Sequence, residues 1–154
     1  MTKKVVSLLS LLLVVVIGSM AQSSKEVKWS FSAKKIADKT YEVHLTATVN
    51  GNWHIYSQNV GVDGPIATSF TFTKNPLLTV DGNKLKETGN LIKKSEEVWG
   101  GTVNYYEKTV DFIQVVKIKG SAKTNLAGKV EYMVCNDEKC LPPAETEFNI
   151  AIGG

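Results

Sequence analysis

The sequence predicts an all-β domain, an immunoglobulin-like antiparallel β-sandwich, and three observations carry that prediction. Residues 41–49 alternate apolar and polar side chains at period two, as a strand with one buried face requires. Short runs of β-forming residues recur along the chain between clusters of turn formers. Beyond the first 21 residues no stretch sustains a helical period. Many short strands punctuated by turns fit two packed antiparallel sheets, with a closed β-barrel as the second choice.

The chain opens differently. Lys3 and Lys4 precede an apolar run of about 13 residues, and Gly18, Ser19 and Ala21 follow as small residues. That order reads as a secretory signal peptide over residues 1–21, leaving residues 22–154 as one mature domain. The run falls short of the ~20 residues that a spanning helix needs, so an exported, periplasmic or otherwise extracytoplasmic, soluble product without stable membrane insertion is expected. Net charge is only +3, which gives no electrostatic case for nucleic acid. In an exported compartment, two thiols can form a disulfide that persists.

Within the domain a first strand is expected over residues 27–31, followed by the alternating run 41–49. Asn50-Gly51 then supplies a tight turn, because both residues accept positive φ. Residues 53–56 return as a third strand, and residues 69–73 place Phe70 and Phe72 on one face. Further strands are expected over 103–106, 110–118, 129–134 and 147–152. Asp63-Gly64-Pro65, Lys74-Asn75-Pro76, Asp81-Gly82-Asn83 and Lys119-Gly120-Ser121 mark connections.

Chemistry concentrates in residues 134–143, VCNDEKCLPP, which hold the only two cysteines of the chain, with four residues between them. Val130, Tyr132 and Val134 alternate, so a strand should run into Cys135, while Phe148, Ile150 and Ile152 mark the strand after Cys140. The two thiols are therefore expected at the facing ends of the last two strands. A connection that short can bring two Cα atoms within the ~4.4–6.8 Å that a disulfide needs.

Three readings of the pair stand open. As a staple it closes a small loop, which loop-closure theory values at roughly 2 kcal/mol, against ~4.7 for a loop of about a hundred residues. As a metal site it would combine Cys135 and Cys140 with His44 and His54, but a C-x4-C spacing without a second close pair is a weak zinc pattern. His44 also sits among the polar-face residues Glu42, Thr46 and Thr48, so neither a metal nor another cofactor is expected. As a redox pair it would be presented on a polar loop that Pro142 and Pro143 stiffen. A different functional class also fits: a non-catalytic binding or adhesion module with a structural disulfide, its binding face made of Trp53, Tyr56, Trp99, Tyr105 and Tyr106.

Three segments carry a family resemblance. VEYMVCNDEKCLPP resembles the redox motif of the N-terminal periplasmic domain of the thiol:disulfide interchange protein DsbD family, where a strand ends in a cysteine and the second cysteine precedes a proline pair. NGNWHIYSQNVGVDGPIATSFTF resembles the family's early hairpin, and KKSEEVWGGTVNYYEKTVDFIQVVKI its acidic-aromatic loop and long strand. They occur in the family's order and span most of the mature chain.

The resemblance implies an immunoglobulin-like domain that works as a protein-disulfide reductase component. Its dithiol takes reducing equivalents from a thioredoxin-like partner and hands them to oxidised exported thiol proteins, without a cofactor. Cys135 and Cys140 match the redox pair; Glu96, Glu97, Val98, Trp99 and Gly100 match a cap loop, with Val98 and Trp99 as lids; His54 and Tyr56 match aromatic positions beside the cysteines. By the same resemblance Cys140 joins partners and Cys135 resolves. His54 stands where a tyrosine is usual, Val98 where an aromatic is usual, and the cysteines are one residue closer than in familiar relatives, so a looser seal is expected. Full-length members continue into a multi-pass membrane domain and a thioredoxin-like domain, so a membrane electron donor is expected to act in trans.

Asp137 and Glu138, joined by Glu96 and Glu97 if the cap folds over, would disfavour a thiolate by like-charge repulsion. The expected behaviour is a reluctant nucleophile, released when a partner displaces the cap. Paired glycines, Gly100 and Gly101, supply backbone freedom for such a lid beside Trp99.

Overall fold

A computed structural model describes residues 24–82 and 84–153. The expected signal peptide lies outside the described residues, as does Asn83 of the expected 81–83 turn. Among the described residues the chain forms strands β1 (Val27–Ala37), β2 (Thr40–Val49), β3 (His54–Tyr56), β4 (Ser69–Phe72), β5 (Leu78–Val80) and β6 (Lys86–Glu96). A short 310 turn, Glu97–Trp99, leads into β7 (Gly101–Ile118), followed by β8 (Thr124–Tyr132), β9 (Val134–Cys135) and β10 (Ala144–Ile152). No helix among them is long and apolar enough to cross a membrane.

The strands make two sheets, as the sandwich prediction requires. One sheet is built on β7, whose neighbours are β2 and β3 on one side and β5 and β6 on the other; β1 extends it beyond β2 and β9 beyond β3. The second sheet has the order β10-β8-β4. Every strand pairing is antiparallel.

Period two decides which side chains meet between the sheets. Val43, Leu45, Val110, Phe112 and Val116 reach inward from β2 and β7 and are fully buried. Leu126, Val130 and Tyr132 of β8, with Phe148, Ile150 and Ile152 of β10, meet them from the other side. Trp29 closes one flank, with its ring centroid 5.4 Å from that of Tyr132 and 6.0 Å from that of Phe112.

Several elements differ from expectation. β5 and β6 are additional strands; β6, KETGNLIKKSE, lies along an edge and is largely exposed, so burial left no apolar period in its sequence. Residues 103–106 and 110–118 belong to one strand of 18 residues, β7. Glu107, Lys108 and Thr109 are exposed at its middle, Lys108 has φ +64°, and there the neighbouring partner changes from β3 to β2.

The largest change concerns the cysteines. β8 ends at Tyr132 in the second sheet, and after Met133 the chain crosses to the first, where Val134 and Cys135 pair with Ile55 and His54. Cys135 therefore ends a strand bonded to β3 rather than facing the start of β10.

Candidate functional site

Three strands at one end of the first sheet are buried on both faces, and each divides its side chains between two apolar clusters. Ile55 of β3, Tyr106 of β7 and Val134 of β9 enter the main core. Their chain neighbours Tyr56, Tyr105 and Cys135 point to the opposite face, where Val60, Val103 and Met133 join them in a second cluster. Trp99 packs against that cluster from the tip of the β6–β7 hairpin.

Asn136 folds the chain back after β9. Its Oδ1 accepts hydrogen bonds from the backbone N–H groups of Glu138 and Lys139, at 2.9 and 2.8 Å, and its own N–H donates to Lys139 O at 2.9 Å. Such local side-chain bonds suit Asn to a tight turn. The turn returns Cys140 to Cys135, and Leu141 N–H donates to Val134 O at 2.9 Å. The two cysteines form a disulfide with Cα atoms 4.0 Å apart, inside the usual lower bound of ~4.4 Å. Cys135 is only 2% exposed, whereas Cys140 is exposed.

The disulfide borders a cleft of about 400 Å³. His54 and Tyr56 of β3 line it, together with Glu96, Val98 and Trp99 of the hairpin tip. Most of the residues singled out by sequence thus converge on one place. Glu97 is the exception: it starts the 310 turn, is exposed, and does not border the cleft.

The expected cap loop is the tight tip of a hairpin. Gly100 closes the 310 turn with φ +69°, and its N–H donates to Glu97 O. Val98 is 77% exposed and shields little. Trp99 is half-buried, seated against the second cluster and the backbone of Gly64.

Burial pushes the Tyr56 hydroxyl above its usual range, opposed by a hydrogen bond with Trp99. Burial likewise raises Tyr105. For His54 burial lowers the imidazole below its usual value; Glu107, Glu96 and Asp137 oppose that shift and Lys94 adds to it. The imidazole is therefore neutral near pH 7. Its ring lies 4.2 Å from that of Tyr105, centroid to centroid, and its Nε2 is 3.4 Å from the Tyr56 hydroxyl.

Lys94, Tyr105 and Asn136 belong to the site without having been assigned to the cysteines from sequence. Lys94 Nζ bonds Glu96 at 2.9 Å and lies 3.9 Å from Asp137, linking the hairpin to the inter-cysteine turn. The alternation of Val103 with Tyr105 could have revealed the second cluster, since both lie opposite Tyr106. His44 is elsewhere on β2, with its Nδ1 2.7 Å from Asp111 Oδ2. The five aromatics considered as a binding face do not share an exposed surface: Tyr56, Tyr105 and Tyr106 are buried, and Tyr106 faces the main core.

Chemically, the arrangement presents one accessible and one sheltered sulfur of a single bond. A thiolate that approaches in line can reach the outer sulfur, with the inner one as leaving group.

Among solved structures, the N-terminal periplasmic domain of ScsB from Proteus mirabilis matches with a TM-score of 0.56 and 16% identity, over 84% of this chain. This chain spans 47% of that one. The reduced N-terminal domain of DsbD from Neisseria meningitidis aligns with a TM-score of 0.46 and 18% identity, over 84% of this chain and 88% of that one. No curated protein sequence matches. The family model described as thiol:disulfide interchange protein DsbD, N-terminal, covers residues 21–152, and the chain belongs to that family of thiol-disulfide exchange domains.

Proposed function

We propose that this domain relays reducing equivalents by exchange at Cys135 and Cys140, from a thioredoxin-like or membrane donor to oxidised exported thiol proteins. The observation that carries the reading is the asymmetry of the pair, a sheltered Cys135 bonded to an exposed Cys140 at the rim of a cleft. A partner thiolate attacks Cys140 Sγ, the intramolecular bond breaks, and its electron pair leaves on Cys135. A second partner thiol then attacks the mixed disulfide and frees the reduced domain. Toward an acceptor the steps reverse, with Cys140 as the attacking thiolate and Cys135 resolving.

Trp99 serves as the cover, with Tyr56 and Tyr105 as the apolar wall it closes against, and Lys94, held by Glu96, ties the hairpin to Asp137 of the inter-cysteine turn. Residues 1–21 serve as the export signal, and residues 22–154 make up the working domain. No bound cofactor takes part, since thiol-disulfide exchange proceeds between sulfurs alone.

Two measurements test the reading together. Redox titration should give a reversible couple within reach of thioredoxin-like proteins, and the Cys135→Ala protein should accumulate mixed disulfides with such partners in envelope extracts. A potential well below about −300 mV, with no mixed disulfide trapped, would mark a structural bond and overturn it.

A further inference from the structure

His54 and Cys135 are partners in the antiparallel ladder between β3 and β9. Residues opposite one another in such a ladder project to the same face with Cβ atoms ~4.5–5.5 Å apart. The imidazole thus rises beside the sheltered sulfur, and both border the cleft with Cys140. The Tyr56 hydroxyl, which also bonds Trp99, sits 3.4 Å from Nε2. In the tautomer whose Nε2–H donates to that oxygen, Nδ1 carries the free lone pair.

We propose that His54 is the proton acceptor for the Cys135 thiol in the resolving step, an inference that rests on the exchange reading of the same two cysteines. The step starts from a mixed disulfide between Cys140 and a partner. The Cys135 thiol gives its proton to Nδ1, and its electron pair attacks Cys140 Sγ. The bond from Cys140 to the partner breaks, and its electron pair leaves on the partner sulfur, which takes up a proton. The domain ends as the disulfide, two electrons poorer, and the partner as a dithiol.

A base is needed there because Cys135 is almost fully buried, and burial in apolar surroundings disfavours a free thiolate. The groups facing the ring are suited to the imidazolium that forms. Glu107 and Tyr105 face it from β7, Glu96 and Lys94 from β6, Asp137 from the inter-cysteine turn, and Tyr56 from its own strand. Three carboxylates against one ammonium favour the charged product, while Tyr105 and Tyr56 hold the ring in place. Because the resting imidazole is neutral near pH 7, the acceptor is ready before any partner arrives.

The reduced full-length protein, mixed with excess 5,5′-dithiobis(2-nitrobenzoate), separates the two chemical steps. The first chromophore is released as Cys140 attacks the reagent, and the second as Cys135 resolves. In the wild type the second phase should be nearly flat between about pH 6.5 and 8.5, the interval between ordinary imidazole and thiol values. In His54→Gln it should fall by about tenfold per pH unit below about 8.5, because only spontaneous thiolate remains. A wild-type second phase that itself climbs tenfold per unit overturns the proposal, whether or not His54→Gln folds. Superimposable profiles for wild type and a folded His54→Gln overturn it as well. A flat wild-type profile in a protein whose Cys135→Ala variant traps no thioredoxin-like partner would keep the proton transfer and remove the exchange reading. Trapping with a steep profile would do the reverse.

Discussion

Trp99 lies so close to the backbone of Gly64 that a Cβ at residue 64 would meet Trp99 Cε3 at 2.5 Å and Cζ3 at 2.6 Å. Gly64 also has φ +128°, which L side chains rarely adopt. The seat of the indole is therefore made by the absence of a side chain. Gly64→Ala should unseat Trp99, lower stability by about 1–3 kcal/mol through strain and lost packing, and speed reduction of the disulfide by glutathione several-fold. Thermal melts and the rate of thiol attack check both parts. In a Trp99→Ala background the added methyl should no longer alter the rate, because the side chain it displaces is gone. An unchanged rate in Gly64→Ala alone would mean that Trp99 does not limit access.

Glu87 holds the segment after β3 to the sheet. Its carboxylate accepts hydrogen bonds from Ser57 Oγ at 2.8 Å, Gln58 N–H at 2.7 Å, Gln58 Nε2 at 3.0 Å and the Tyr106 hydroxyl at 2.7 Å. Glu87→Gln replaces one accepting oxygen by an amide donor, so either the two Gln58 donors or the Ser57 and Tyr106 hydroxyls lose their acceptor. Loss of such a bond at a buried group costs about 1–3 kcal/mol. Urea unfolding should show a lower midpoint with the same m-value; an unchanged midpoint would show that water replaces the carboxylate freely.

Tyr106 also gives the fold an alkaline limit. Burial, then the hydrogen bond and charge of Glu87, hold its hydroxyl well above the usual tyrosine range, and burial raises Tyr56 and Tyr105. A folded value above the unfolded one means that the contribution is complete below about pH 10 and is lost as pH rises further, because the unfolded chain ionises first. Stability should therefore hold steady up to about pH 10 and fall beyond it. Tyr106→Phe should flatten that decline while starting from a lower value. Unfolding midpoints between pH 8 and 11 check the slope, and a wild type equally stable across that span would refute it.

How far these features were legible depends on what burial leaves in a sequence. Residues 41–49 have one buried face, so alternation announced β2 directly. β6 has almost no buried face, and its polar residues read as a connection. β3, the start of β7, and β9 are buried on both faces at the site, so alternation breaks at Ile55-Tyr56, Tyr105-Tyr106 and Val134-Cys135, although the aromatic and β-branched composition still marked strands. The switch of sheets at Met133 left no mark, because Tyr132, Met133 and Val134 are all buried whichever sheet they join. Cys135, Cys140, His54, Tyr56 and Trp99 came together by family pattern. The roles of Gly64 and Lys94 depend on contacts between segments about 30 residues or more apart, which no local pattern records.

The Cys135–Cys140 bond should contribute little to the fold. It spans a sequence separation of 5, for which loop-closure theory gives about 2 kcal/mol. The main core between the sheets excludes both sulfurs. The reduced domain should keep its circular dichroism spectrum and melt only several degrees lower, as that free-energy change implies for a domain of this size. Collapse to an unfolded chain on reduction would show the bond to be a structural staple, a behaviour incompatible with a carrier that must be stable in both redox states.

Reduction should also expose the inequality of the two sulfurs. Cys140 is exposed on the turn side of the cleft, while Cys135 is 2% exposed behind Tyr56, Tyr105 and Met133. Iodoacetamide must reach a thiolate in line, so the outer position should react at least about tenfold faster, both because access is open and because a buried thiolate is disfavoured. Mass analysis of singly alkylated protein should place the label on Cys140, and Cys140→Ala should be labelled slowly. Charge tunes the same rate: Lys94 faces Glu96 and Asp137 beside the turn. Reversal in Lys94→Glu leaves those carboxylates unopposed, so labelling of Cys140 should slow a few-fold at low ionic strength and recover toward the wild-type rate at about 1 M salt, where the screening length is near 3 Å. Preferential labelling of Cys135 would reverse the proposed order of attack and make the inner sulfur the one that partners reach.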